Sequence, residues 1–198
     1  MTDVATLPPS EIDRIFGPLV QARTYRHLVY FALAFPLGIV YFVLMITGLS
    51  VGAALAILVV GFFILALTLA LARGLSQLER RLTGALLDAR FEPWPARAPG
   101  IRTTLTDRRN WGRVFYLLLR FPIGVAGFVS SIMFLAAIAM IAAPLLYDVL
   151  PGMVMGERIQ TSEQALLVSL FGFVLLLIWA HVINGLASLT RWMAEALL

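Results

Sequence analysis

Groups able to do chemistry are sparse in the apolar parts of this 198-residue chain. Arg120 stands inside one apolar run; His181 and Asn184 stand three apart in another, with Ser188 a turn beyond. An imidazole beside an amide could relay protons or hold a polar ligand, and a guanidinium could grip an anion. Neither group has a carboxylate for company inside the apolar runs, so proton transfer is poorly supported. Hydrogen bonding between helices accounts for His181 and Asn184. Arg120, near the arginine-rich end of its run, can extend along its stem to lipid headgroups. The chain has no cysteine, which excludes disulfides, thiolate metal sites and thiol nucleophiles. It also lacks G-x-G-x-x-G, a P-loop, H-E-x-x-H and clustered intramembrane carboxylates. We therefore expect no catalytic residue, no metal ligand and no cofactor site, and hence a non-enzymatic role.

The elements that must position these groups follow from composition. With 61% hydrophobic and 13% charged residues, the chain lies far outside the soluble norm of about 45–50% apolar and about 25% charged. It reads as an all-α integral membrane protein with four transmembrane helices arranged as two parallel two-helix repeats, plus amphipathic interfacial helices. The apolar runs extend over about Leu28–Leu49, Val51–Ala72, Val114–Leu146 and Ala165–Leu186, each long enough to cross a hydrocarbon core of ~30 Å. Gly48–Gly52 reads as a tight turn between the first two. Thr161 with Gln164 three residues on is a capping-box pattern opening the fourth. Residues 1–27 form a polar N-terminal segment in which Ser10 could cap a surface helix carrying Ile12, Phe16, Leu19 and Val20. Residues 28–91 make the first repeat, 92–110 a Pro-rich linker and 111–198 the second repeat.

Charge gives orientation. All basic residues are arginine, and nine of them lie between Arg73 and Arg113 against four acids. By the positive-inside rule this segment is cytoplasmic, and both termini with it, in a multi-pass protein of the cell membrane. Arg73, Arg80, Arg81, Arg108, Arg109 and Arg113 are candidate contacts for anionic headgroups, a better account of the basic excess than nucleic acid. From Gly74 to Phe91 an amphipathic helix continues the second span, with Leu75, Leu78, Leu82, Ala85 and Leu86 on an apolar stripe between charged Glu79, Arg80, Arg81, Asp88 and Arg90, the stripe on lipid or a partner helix and the arginines towards headgroups.

The sequence is also doubled. Tyr30, Phe35, Pro36 and Gly38 spell Y-x-x-x-x-F-P-x-G, and Tyr116, Phe121, Pro122 and Gly124 spell it again. Tyr25–Phe42 aligns without a gap on Trp111–Phe128. After the second spans, Gly74, Leu75, Leu78 and Arg80 match Gly185, Leu186, Leu189 and Arg191. A unit that crosses twice and is then repeated implies a pseudo-two-fold along the membrane normal. Pro36 and Pro122 each free a carbonyl one turn earlier. Gly38, Gly124 and Gly127 permit close helix approach, with Ser131 extending that face and Ala66 and Ala70 offering another. These positions are a packing seam or, in a functional reading, a pair of hinges. Tyr25, Tyr30, Trp111, Tyr116 and Trp192 suit an inner aromatic belt and Tyr147 an outer one.

Taken together, Arg23-Thr24-Tyr25-Arg26, the two Phe-Pro-x-Gly phrases with their tyrosines, Ala72-Arg73-Gly74-Leu75 with Glu79-Arg80, and Asp107 through Trp111 resemble the putative sensor domain. That four-span module occurs at the N-terminus of bacterial histidine kinases and as stand-alone membrane proteins. The resemblance implies a non-catalytic membrane sensor or regulatory module that answers a membrane or lipophilic signal or modulates a partner. Accessory subunit of a larger membrane complex is the alternative, and a small transporter or channel the third. Membrane lipids and a membrane protein partner or second copy are the expected associates, without nucleic acid.

Overall fold

A computed structural model of the chain describes residues 22–91, 101–146, 153–154, 157–158 and 161–198. Its elements are α1 (Ala22–Ala54), α2 (Val60–Leu87), α3 (Ile101–Thr106), α4 (Arg108–Ile141), α5 (Ala143–Leu146), β1 (Met153–Val154), β2 (Glu157–Arg158) and α6 (Ser162–Leu197). Among the described residues, α1, α2, α4 and α6 are long and apolar enough to cross a membrane. The 33 residues of α1 would extend about 50 Å at 1.5 Å per residue, more than a ~30 Å hydrocarbon core needs. The all-α, multi-pass membrane class expected from composition holds. β1 and β2 form only a two-residue antiparallel ladder, Met153 opposite Arg158 and Val154 opposite Glu157.

α1 does not stop at Gly48–Gly52. It continues to Ala54, and the chain reverses through Leu55–Val59, with a 3-10 turn at Ala56–Leu58. The two glycines serve packing instead: a Cβ on Gly48 would collide with the Thr68 side chain, and one on Gly52 with Leu65. The reversal closes on itself, Leu58 and Gly61 both donating their N–H to Leu55 O at 2.9 and 3.0 Å. An uncharged turn thereby satisfies backbone groups that an apolar setting would penalise.

α2 runs unbroken through Gly74 to Leu87, so the surface helix is a continuation of the second span. Its buried face differs from the expected leucine stripe. Ala72, Ser76, Glu79, Thr83 and Leu87 are buried, whereas Leu78 is 42% exposed. Polar groups occupy that face because partners on α1 and α4 meet them there. Of the linker, residues 92–100 lie outside the described residues, as does the N-terminal surface helix around Ser10; Ile101–Thr106 form α3, packed on α2. α4 ends at Ile141, and Pro144 falls in α5 beyond a turn at Ala142. Thr161 caps α6 as its spacing suggests, its hydroxyl accepting the Gln164 N–H at 3.3 Å.

The chain divides into two compact units. One comprises Arg26–Val129 and Gly185–Leu198; the other comprises Ser130–Asn184 with the described residues 22–25. In the first, α1 and α2 form an antiparallel hairpin, Gly48 facing Thr68 and Arg26 reaching Asp88. Its apolar cluster gathers Tyr41, Met45, Leu69, Ala72, Val114, Tyr116, Leu117 and Ala194. In the second, α4 and α6 pack closely at Gly172, against Ala137 O and Met140 Cβ, while Ser169 Oγ donates to Ile141 O at 3.2 Å.

Candidate functional site

The two Phe-Pro-x-Gly phrases meet each other inside the first unit. A Cβ on Gly38 would stand 3.1 Å from Phe121 Cα and 3.2 Å from Arg120 O. One on Gly124 would stand 3.4 Å from Phe35 Cα and 2.9 Å from Ala34 O. Under the alignment of Tyr25–Phe42 on Trp111–Phe128, each contact is the other with the copies exchanged. The rings repeat the relation: Phe35 stacks on Phe128 with centroids 4.6 Å apart, and Phe42 packs on Phe121 at 5.0 Å. Reciprocity of this kind is what a two-fold relation between the motif segments requires. Phe31, ahead of the first motif, packs on Gly127, beyond the second. α1 and α4 therefore pack on each other through the motifs. Gly38, Gly124 and Gly127 form the crossing, with Ser131 buried beyond it, while Pro36 and Pro122 face outward. Ala66 is half-buried and Ala70 exposed, so the second small-residue face is not used in the same way.

Among the places where charge breaks this exchange, two are in contact. Arg120 stands where the first copy has Ala34, and Glu79 stands where the second copy has Thr190. All four positions are buried. Arg120 does not reach for headgroups: it is 1% exposed, and its Nε lies 2.7 Å from Oε1 of Glu79, which is 0% exposed. The distance makes an ion pair, although the N–H is not aimed along that line. Nor do Tyr30 and Tyr116 belong to an aromatic belt. Both are buried, and both donate their hydroxyls to Glu79 Oε1, at 3.0 and 3.3 Å. Thr83 Oγ1 approaches the same oxygen at 3.4 Å, and the Tyr30 ring lies beneath the guanidinium at 4.5 Å. A symmetric pair of tyrosines thus converges on one asymmetric carboxylate.

The cluster is not fully satisfied. Glu79 Oε2, Arg120 Nη1, Tyr41 OH and Ser76 Oγ have no hydrogen-bond partner among the described residues. Tyr41 lies within the electrostatic field of both Glu79 and Arg120. Buried polar atoms of this kind are costly and call for an explanation. Proton or ligand contact through oxygen and guanidinium groups is the chemistry the arrangement allows; no nucleophile paired with a base is present among these side chains.

The other candidates are dispersed. His181 is exposed and its Nδ1 lies 2.8 Å from Leu177 O on its own helix. Asn184 is half-buried, its amide donating to Thr24 Oγ1 at 3.2 Å. Arg73 and Arg113 converge on Asn110, whereas Arg81, Arg108 and Arg109 are exposed. Arg80 stacks over Phe91 at 4.7 Å. Glu79 is the residue that the reading of the sequence passed over. A signal was available: Ser76, Glu79 and Thr83 form a polar row at helical spacing, and aligning the second halves sets Glu79 against Thr190 much as Arg120 is set against Ala34.

No curated protein and no solved structure matches the chain. The family described as "Putative sensor" matches residues 30–198, a span that begins at Tyr30 and takes in both Phe-Pro-x-Gly phrases, Glu79 and Arg120, and the chain belongs to that family.

Proposed function

We propose that the protein is a non-catalytic membrane sensor or regulatory module whose sensing element is the α1–α4 crossing, locked by the Arg120–Glu79 pair. The observation that carries this reading is the buried ion pair itself. Ionisable groups kept inside an apolar module are expensive and mark function more often than packing. Here the pair ties α2 of one copy to α4 of the other, and Tyr30 of α1 donates to the same carboxylate, so a change in how α1 packs on α4 must re-aim the cluster. Bilayer thickness or a lipophilic compound would act through the outward faces of these helices. The arginine distribution supports a module in the cell membrane with both termini on the cytoplasmic side, where its helix ends would face a partner.

The test uses the absence of cysteine. Spin labels on cysteines placed at the exposed positions Val40 of α1 and Phe115 of α4 report its geometry in bilayers of different thickness. The distance distribution should shift with thickness in the otherwise native chain and broaden without shifting in Arg120→Ala. A distribution unchanged across bilayers, with the protein folded, rules the crossing out as the sensing element.

A further inference from the structure

We propose that residues 88–91, beyond α2, form a clasp on the end of α6 that opens when α1 and α4 repack at the motifs. The inference rests on the sensor reading and names the element that would follow a change in that packing. At the end of α2, Asp88 has φ 54, and this left-handed cap turns the chain with its N–H on Thr83 O. The turn carries the chain to α6, where the Arg90 N–H donates to Glu195 Oε1 at 3.0 Å. Arg191, one turn earlier on α6, holds the same oxygen with its Nε at 3.0 Å. From α2, Arg80 Nη1 donates to Leu198 O at 3.3 Å, satisfying a carbonyl at the end of α6, and the guanidinium lies over the Phe91 ring at 4.7 Å. Phe91, Leu197 and Leu198 are half-buried against the cluster that includes Tyr41, Val114, Leu117 and Ala194.

The clasp is another place where the copies part. Arg80 and Arg191 are equivalent, yet Arg80 reaches across to the other copy and Arg191 pairs on its own helix. Glu195 stands where the first copy has Gly84, which carries no side chain to return the bond. Both sides of the clasp are tied to the elements that the motifs position. Arg26 of α1 forks onto Asp88, the residue that makes the turn. Val114 and Leu117 of α4 lie in one cluster with Ala194 of α6. Movement of α1 against α4 therefore strains the turn through Arg26 and the end of α6 through the cluster. The side chains that resist are open to water, Arg191 at 36% and Glu195 at 31%. Water competes for such bonds, so the clasp yields before the buried Arg120–Glu79 pair does.

Spin labels on cysteines replacing Arg90 and Ala196, both exposed, measure the gap across the clasp, and the Arg90 bond survives because the backbone N–H makes it. In a bilayer the full chain should show a short distance with a minor longer one. Glu195→Ala should enlarge the longer population about tenfold and leave the Val40–Phe115 distance as it was. Gly124→Ala puts a methyl group 2.9 Å from Ala34 O, prises the motifs apart and should enlarge that population by a comparable factor. Gly38→Ala is the exchange-related substitute where Gly124→Ala fails to fold. An Arg90–Ala196 distribution left unaltered by Glu195→Ala, or by the folded glycine variant, overturns the clasp whatever bilayer thickness does. The sensor reading stands or falls separately, on whether thickness shifts the Val40–Phe115 distance. Where it does, the Arg90–Ala196 distance should shift in step; a shift in the first alone overturns the clasp and leaves the sensor reading standing.

Discussion

The two copies agree in their packing and differ in their charge. At the crossing, Gly38 and Gly124 meet equivalent backbone atoms, and Phe35–Phe128 and Phe42–Phe121 are the same contact seen from either side. The buried faces of the following helices also correspond: Leu69, Ala72, Ser76, Glu79 and Thr83 in one, Ala180, Ile183, Ala187, Thr190 and Ala194 in the other. Yet one copy supplies Glu79 and the other Arg120, each at a position where its counterpart is neutral. Thr190 needs no partner from another helix, because its hydroxyl donates to Leu186 O at 2.7 Å in its own turn. The seam between the motifs is therefore two-fold, while the polar lock is single. A duplicated seam can be built from shape alone; fixing which copy plays which part takes the charges.

The largest effect should come from breaking the lock on one side. Arg120→Ala or Glu79→Thr alone leaves a buried charge without its partner and should cost about 3–5 kcal/mol, read as thermal unfolding in micelles. Making both changes restores the neutral residue of the other copy at each place, and most of the loss should be recovered, because a buried pair replaced as a pair is often close to neutral. The symmetry can then be pressed further. Adding Ala34→Arg to the double variant should destabilise it again, and Thr190→Glu should rescue that loss by rebuilding the pair in the exchanged position. No rescue would confine the two-fold relation to the Phe-Pro-x-Gly seam.

Composition and run lengths were enough for the class, because crossing a bilayer constrains length and apolarity residue by residue. The doubled phrase was legible too, since it is a matter of spelling. What escaped was the use made of particular residues. Gly48 and Gly52 look like turn residues and act as packing residues, since close approach to Thr68 and Leu65 asks for the same missing side chain as a turn does. Glu79 looks like one charge among the arginines of an amphipathic helix. Its burial depends on Tyr30 and Arg120, far away along the chain, and no local period carries that information. Arg120 could be singled out as the unusual charge, but not matched to its partner.

A smaller effect separates shape from charge at the same crossing. Adding a methyl group at Gly38 or at Gly124 presses on backbone carbonyl and Cα atoms that cannot turn aside, and overpacking of this kind costs about 1–3 kcal/mol. Because the two contacts are exchange-related, Gly38→Ala and Gly124→Ala should lose stability by similar amounts, with Gly124→Ala slightly the worse for its 2.9 Å approach to Ala34 O. Losses that differ by more than about 1 kcal/mol would show that the two sides of the seam do not bear load alike.

The smallest effect is expected where the same chemistry is exposed. Arg26 forks onto Asp88, with Nη2 3.0 Å from Oδ1 and Nη1 3.3 Å from Oδ2, and Nη2 also meets Ala85 O. Asp88 stands at the end of α2 with φ 54, a left-handed residue that the arginine helps hold. Both side chains, however, are well exposed, at 41% and 57%. Water and salt screen such a pair, and exposed pairs contribute about 0–1 kcal/mol. Arg26→Gln should therefore lower stability by no more than about 1 kcal/mol, and raising the salt concentration should erase most of that difference. The Arg120→Ala loss should barely respond to the same salt, because ions do not enter the buried cluster. A salt response of equal size in the two variants would mean that the Arg120–Glu79 pair is wetted, and the contrast between buried lock and exposed clamp would fail.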